Sequence, residues 1–141
     1  MSRSAIIEAL YEDSGLTSLG VEQDSILQGQ GLLERPTDRS PFILLNWQEQ
    51  AQNPFGNVKA PRTLVVWVHY PSEVTNDYSK IDSILDRVEN VLVGLEDVSG
   101  DDGHSVTCVR STGRSSDLKD EGLQTFCRYA AFQVLSRKGV I

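Results

Sequence analysis

Few side chains in this sequence are of the types that do chemistry at neutral pH. The 141 residues include two histidines and two cysteines, whose protonation and nucleophilicity are the easiest for a site to use. Cys108 and Cys127 lie on predicted strands, and pairing of those strands would make the thiols neighbours. Buried thiols that act as small hydrophobes are the simpler interpretation. His69 ends another predicted strand, and we interpret it as a histidine at the rim of the sheet.

The spacings that mark catalytic and metal-binding motifs do not occur in the sequence. It contains no G-x-S-x-G elbow, no G-x-x-x-x-G-K-[ST] loop, no H-E-x-x-H pair and no C-x-x-C. Those patterns are the ones that predict acyl transfer, phosphate binding and zinc sites. We therefore predict that the protein is not an enzyme and has no catalytic residue, no metal and no cofactor.

One acidic stretch supports an alternative of another class. His104 follows Asp101 and Asp102, and carboxylate oxygens are ligands for hard cations. The spacing matches no EF-hand loop, so we interpret the segment as an acidic surface turn. The alternative is a small enzyme with a site between subunits, in which His104 works with Asp101 or Asp102.

Composition and length indicate one ordinary globular domain. The chain is 39% hydrophobic and 23% charged, and a domain of this size buries about two-thirds of the surface that its unfolded form exposes. Apolar runs such as residues 64–68 fall far short of the ~20 residues that cross a bilayer, so we predict no contact with a membrane. The N-terminal residues lack the pattern of a signal peptide, which predicts a cytoplasmic protein with reduced thiols.

The formal net charge of −7 is unevenly distributed. Residues 77–102 hold eight acids against two bases, whereas residues 103–141 hold six bases against three acids. Tight binding of nucleic acid requires basic patches that release phosphate counterions, so the overall balance argues against it. The separation of acidic from basic residues along the chain instead offers surfaces of opposite charge for contacts between proteins.

The elements that must position these side chains follow from hydrophobic periodicity. Apolar residues at 3–4 spacing predict helices over 4–12 and 77–95, the first ended by Gly15 and Gly20. Runs of strand-forming residues predict strands over 42–48, 62–70 and 104–111. Residues 50–61 are polar and contain the turn-forming pairs Asn53-Pro54, Gly56-Asn57 and Ala60-Pro61. They predict a loop that is long enough to suggest a function.

The segment 123–137 fits two patterns. Its apolar residues match a helical stripe, but its aromatic and β-branched residues favour a strand, which we choose. The order of elements then predicts an α+β fold, a mainly antiparallel mixed sheet with two helices packed on one face. Two-sided apolarity in the last strand would mean that one of its faces meets a helix layer or another subunit.

Several segments together resemble one family. They are the early amphipathic helix, the strand start Pro41-Phe42-Ile43, the strand 62–68, the helix start Tyr78-Ser79-Lys80-Ile81 and the closing strand 128–135. In pattern, size and order they resemble the tail terminator proteins of siphovirus-type bacteriophages, which have long non-contractile tails. The resemblance covers most of residues 1–141 as one tail-terminator-like domain and rests on no diagnostic motif.

The resemblance implies a virion protein of the tail that assembles in the host cytoplasm. It implies a homo-hexameric ring that caps the tail tube, ends its polymerisation and presents a surface to the head-tail connector or neck protein. DNA would pass through the ring without specific binding. A head-completion or connector protein, also a small ring, is the alternative within phage biology.

Contact residues follow from physics, because the family supplies no motif to carry over. A ring joins one patch to a different patch of the next subunit, so we predict that a basic set meets an acidic set. The two sets are Arg110, Arg114 and Arg128 against Asp82, Asp86 and Glu89. The loop residues Asn53, Pro54, Phe55 and Lys59 are predicted to dock the tube or the neck, with Phe55 as an aromatic anchor.

Overall fold

The computed structural model describes residues 3–29, 34–48, 62–101 and 103–138. In these segments the α-helices are α1 (Arg3–Tyr11), α2 (Ser14–Ser18) and α3 (Tyr78–Val93). The strands are β1 (Ile26–Gln28), β2 (Phe42–Gln48), β3 (Arg62–Pro71), β4 (Val98–Ser99), β5 (His104–Arg114), β6 (Leu118–Asp120) and β7 (Thr125–Lys138). Within these ranges no helix has the length and apolarity to span a bilayer.

The strands form one mixed sheet in the order β1-β2-β3-β7-β5-β4, with β6 also paired to β7. Among the described strands, β1 and β2 run parallel and the other pairs are antiparallel. The long strand β7 is central: β3 lies along one of its edges, while β5 and β6 follow one another along the other. The last strand of the chain therefore lies in the middle of the sheet.

All three helices contribute to a single core on one face of the sheet. The apolar stripe predicted for the second helix is confirmed, because five side chains of α3 are almost fully buried. They are Ile81, Ile84, Leu85, Val88 and Leu92. They pack against inward-facing residues of the sheet, among them Leu64 in β3 and Phe132 in β7. Burial of this apolar surface is the main stabilising contribution in such a fold.

Period-two alternation explains why residues 125–138 form a strand and not a helix. Ala130, Phe132 and Val134 point into the helix-covered core, whereas Tyr129 and Ala131, which alternate with them, line the opposite face. A helix would place both sets around one cylinder, but the sheet needs them on two sides. The choice of strand for this segment is confirmed.

The α+β class is confirmed, and in the described part of the chain three α-helices, not two, contribute to the core. Gly15, predicted to break the first helix, instead lies within α2, whose N-cap is Asp13. Asp13 accepts a hydrogen bond from the Leu16 backbone N–H at 2.9 Å and two from the Arg87 guanidinium at 2.8 and 2.5 Å. The Arg87 side chain lies so close to Gly15 that a Cβ there would collide with it. Any larger residue at position 15 would therefore require the Arg87 side chain to shift.

Candidate functional site

The sheet face opposite the helices carries a concavity of about 590 Å³. Its floor comes from alternating residues of three neighbouring strands, which explains why their side chains share one face. Asn46, Thr63, Val65, Trp67 and Tyr129 are among the side chains that line it. We call this surface the open face.

Aromatic rings cluster at one end of the open face. The Trp67 and Tyr129 ring centroids lie 4.7 Å apart, and the Trp67 and His69 centroids lie 6.1 Å apart. The His69 ring stacks on Phe42 with centroids at 4.9 Å and planes within 4°. Trp67 and Tyr129 are partly exposed, and partly exposed Trp and Tyr side chains are frequent anchors of protein interfaces.

The environment of His69 corrects its predicted place at the rim. The side chain is 3% exposed, because the ring is stacked on Phe42 and its Nδ1 lies 2.7 Å from Thr125 Oγ1 in a hydrogen bond. Burial lowers the pKa of His69 to about 4, and the carboxylate of Asp120 only partly opposes this effect. His69 is therefore neutral at physiological pH and cannot supply an imidazolium.

Cys127 lies opposite His69 in the β3–β7 register, a juxtaposition that the sequence did not reveal. Burial, with a smaller effect of Asp120, raises the pKa of the Cys127 thiol to about 11. A cysteine nucleophile needs a thiolate beside a positive group, and this pair offers a neutral imidazole and a protonated thiol. The pair is structural in character.

The two thiols are not neighbours. Cys108 lies opposite Leu135 in the β5–β7 register, toward the other end of β7 from Cys127. Both cysteines are free.

The alternative built on His104 gains no further ligand from the structure. His104 is half-buried at the start of β5, Asp101 is exposed, and Asp102 lies outside the described residues. Across the ranges given above, no three His, Cys, Asp or Glu side chains are arranged to hold a metal ion.

Five of the six charged residues predicted at the subunit interface meet one another within a single chain. Arg114 Nη2 lies 2.8 Å from Asp86 Oδ1 and 3.1 Å from Glu89 Oε2. Arg128 forms an ion pair with Asp82. The acidic face of α3 thus lies over the arginines of β5 and β7, and both arginines are already paired before any second copy arrives.

Two further parts of the predicted site stand apart from this network. The Arg110 side chain is exposed on β5. It makes no ion pair with any residue that the structure describes. The docking-loop residues Asn53, Pro54, Phe55 and Lys59 lie outside the described residues, so that prediction stays a prediction.

The open face itself was missed at the level of single residues, although the signal was present in the sequence. Strand 62–70 is apolar on both of its faces, with Leu64 and Val66 on one and Val65 and Trp67 on the other. Such two-sided apolarity indicates a second contact surface. The sequence could not show which of the two faces the helices would cover.

Comparison with known proteins gives a likeness of fold. No protein-family model matches the chain, and no curated protein matches it either. One chain of the solved structure described as the virion of a native gene transfer agent (GTA) particle is similar over 92% of this chain and 90% of its own length. The TM-score is 0.64 and the sequence identity is 15%. At this identity the likeness shows a shared fold.

Proposed function

We propose that this protein is a structural component of a phage-type virion. The observation that carries the proposal is the fold likeness to a chain of the gene transfer agent virion, which extends over nearly the whole of both chains. Fold alone does not determine function. The proposal therefore also needs support from the surface of the molecule.

The chemistry of the surface favours assembly over catalysis. Two described residues of types that serve in catalysis, His69 and Cys127, are held neutral by burial. The open face beside them presents Trp67 and Tyr129, whose partly exposed rings suit the contact of one protein with another. This combination supports a protein that works by binding other proteins.

Within that class we propose the more specific role of a tail terminator. The ring would be a homo-hexamer that caps the tail tube, ends its growth and offers the head-tail connector a surface, with DNA passing through unbound. The segment pattern described in the sequence supports this role. The docking loop around Phe55 is the part of the chain that we propose meets the tube or the neck protein.

Contacts within one chain reduce the number of predicted interface residues that are free to meet a neighbouring subunit. Arg114 and Arg128 pair with Asp82, Asp86 and Glu89 of the same chain. Partly exposed pairs of this kind contribute roughly 0–1 kcal/mol each, so they could rearrange in an assembly. Of the three predicted arginines, Arg110 is the one that forms no ion pair with a described residue, and we propose that it faces a neighbouring subunit.

The test is light scattering of the purified protein over a range of concentrations, alone and then with purified tail tubes. We expect a mass near six times the 15.6 kDa chain, either in solution or once the chain is on the tube. Added tube subunits should then fail to extend tubes that carry the protein. A stable monomer that ignores tubes would refute the terminator role.

Two controls separate the alternatives. A protein that forms rings and binds the connector, but neither binds nor caps tubes, would be the head-completion or connector protein. Phe55→Ala should keep the ring and reduce tube binding, because only the proposed docking loop is changed. Full tube binding by this variant would remove the loop from the proposal.

A further inference from the structure

Among the described residues, β1 and most of β5 each have one strand edge without a pairing partner. In the described part of the chain, β1 pairs only with β2, and β5 pairs with β4 only through Ser105 and Val106. The Asp97 N–H donates to the Thr107 carbonyl at 3.2 Å, and from there to Arg114 no other described strand pairs with this edge of β5. Backbone groups along such edges are ready to pair with another strand.

The two open edges are of similar useful length. Irregularities in the β5–β7 pairing fall between Val106 and Cys108 and between Ser111 and Gly113. Bulges of this kind disrupt regular pairing, so the regular part of the open β5 edge is 108–111. Strand β1 has three residues. The four regular residues of the open β5 edge are therefore about as long as the three-residue strand β1.

The charges beside the two edges are complementary. Arg110 is exposed within the regular part of β5, and Glu22 and Asp24 are exposed just before β1. None of these three side chains forms an ion pair with a described residue. Unpaired opposite charges on two separate surfaces favour their association and fix its orientation.

The two edges lie at opposite ends of one sheet, separated by β2, β3 and β7. Four strand spacings of about 4.8 Å each, roughly 19 Å along the sheet, therefore separate the two edges within one chain. Joining one end to the opposite end of the next copy is a heterologous contact, which is the kind that generates rings.

We propose that copies of this chain join edge to edge, with the β5 edge of one copy pairing with β1 of the next and Arg110 facing Glu22 and Asp24 of that copy. The inference rests on the proposed ring and names the surfaces that form it. The sheet then continues across every subunit boundary. The open face, with Trp67 and Tyr129, stays free of the subunit contact and available to another protein.

Charge reversal tests the electrostatic half of the contact. Arg110→Glu should raise the concentration at which the ring half-assembles by at least about tenfold, as expected for an interface charge pair made repulsive. The double variant Arg110→Glu with Asp24→Lys should recover most of that loss. Arg137→Glu, a reversal of an exposed arginine on β7, is the matched control and should assemble like the wild type.

Disulfide trapping tests the strand pairing. In a Cys108→Ser, Cys127→Ser background, cysteines at Arg110 and Asp24 are too far apart within one chain to bond, because three strands lie between them and a disulfide needs Cα atoms within about 7 Å. Oxidation of the Arg110→Cys, Asp24→Cys protein should give covalent multimers up to the closed ring. The Arg137→Cys, Asp24→Cys protein should give only monomer.

The outcomes distinguish this inference from the proposed function. A ring that forms and caps tubes, yet neither cross-links nor responds to Arg110→Glu, overturns the edge pairing and leaves the terminator role standing. A chain that stays monomeric alone and on tubes overturns both. Cross-linked rings with charge-swap rescue support the edge pairing whether or not tubes are capped.

Discussion

Acidification from pH 7.5 to pH 5 should destabilise the fold through His69. The imidazole is stacked on Phe42, bonded to Thr125 and 3% exposed, and burial lowers its pKa to about 4 from an ordinary value of 6.5. Between these two pKa values, His69 is therefore mostly neutral in the folded protein and mostly protonated in the unfolded chain. Stability must fall as the pH falls through the unfolded pKa, and the loss stops growing below the folded pKa.

The two pKa values set the magnitude. At pH 7.5 both states are almost fully neutral at His69, so this group contributes nearly nothing to the pH dependence there. At pH 5 the unfolded imidazole is mostly protonated and the folded one mostly neutral, which lowers the free energy of unfolding by about 2 kcal/mol. The carboxylates with lowered pKa are those of Asp13, Glu73 and Asp77. Because a lowered carboxyl pKa acts only as the pH falls below about 4.5, these groups lie outside the window.

The assay is urea unfolding followed by circular dichroism at several pH values and one low protein concentration. The matched variant is His69→Gln, which keeps a polar side chain at this position and keeps His104. Between pH 7.5 and pH 5, the free energy of unfolding should fall by about 2 kcal/mol less in the variant than in the wild type, whatever the variant's stability at pH 7.5. The reasoning would be refuted if the free energy of unfolding changed equally with pH in the two proteins, or if that of the wild type did not change.

Three further predictions concern single contacts. Gly15→Ala should destabilise the protein because the new Cβ would displace Arg87 from Asp13. Inside a helix, alanine ordinarily stabilises by about 1 kcal/mol relative to glycine. Thermal unfolding should therefore show that Gly15→Ala stabilises the protein in an Arg87→Ala background. Alkylation at pH 8 should be at least about a hundredfold slower at Cys127 than at Cys108, since Cys127 is buried with a pKa near 11; comparison of Cys108→Ser with Cys127→Ser measures this, and equal rates would contradict it. Phe132→Ala in the core should cost about 3–5 kcal/mol in urea unfolding, whereas Trp67→Ala on the open face should cost less, and the reverse order would mean that the two faces are misassigned.

Local periodicity was enough to predict the main elements. The apolar stripe of α3 recurs with a helical period, and strands β2 and β3 are rich in strand-forming residues. These signals act over a few residues and are therefore visible in one sequence. Helix α2 was not predicted because its five residues include Gly15, and the Arg87 side chain that packs against this glycine is far away in sequence.

Strand order could not be predicted in the same way. The last strand, β7, lies between β3 and β5, and the parallel pairing of β1 with β2 joins segments separated by a loop. Such pairings depend on contacts between distant residues. No periodicity within a single segment encodes them, so the sequence predicted the class of the fold without its topology.

The charged residues show how topology decides which surfaces are left for function. The sequence separates acids from bases, and complementary charges satisfy one another equally well within a chain or between copies. The central position of β7 places Arg128 beneath α3, where Asp82 pairs with it, and Arg114 at the end of β5 meets Asp86 from the same helix. Arg110 faces away from α3 on the other side of the sheet, opposite Gln133, so no acid of α3 pairs with it. Charged residues that form no ion pair with a described residue remain available for contacts between copies, and they include Arg110 on β5 and Glu22 and Asp24 just before β1.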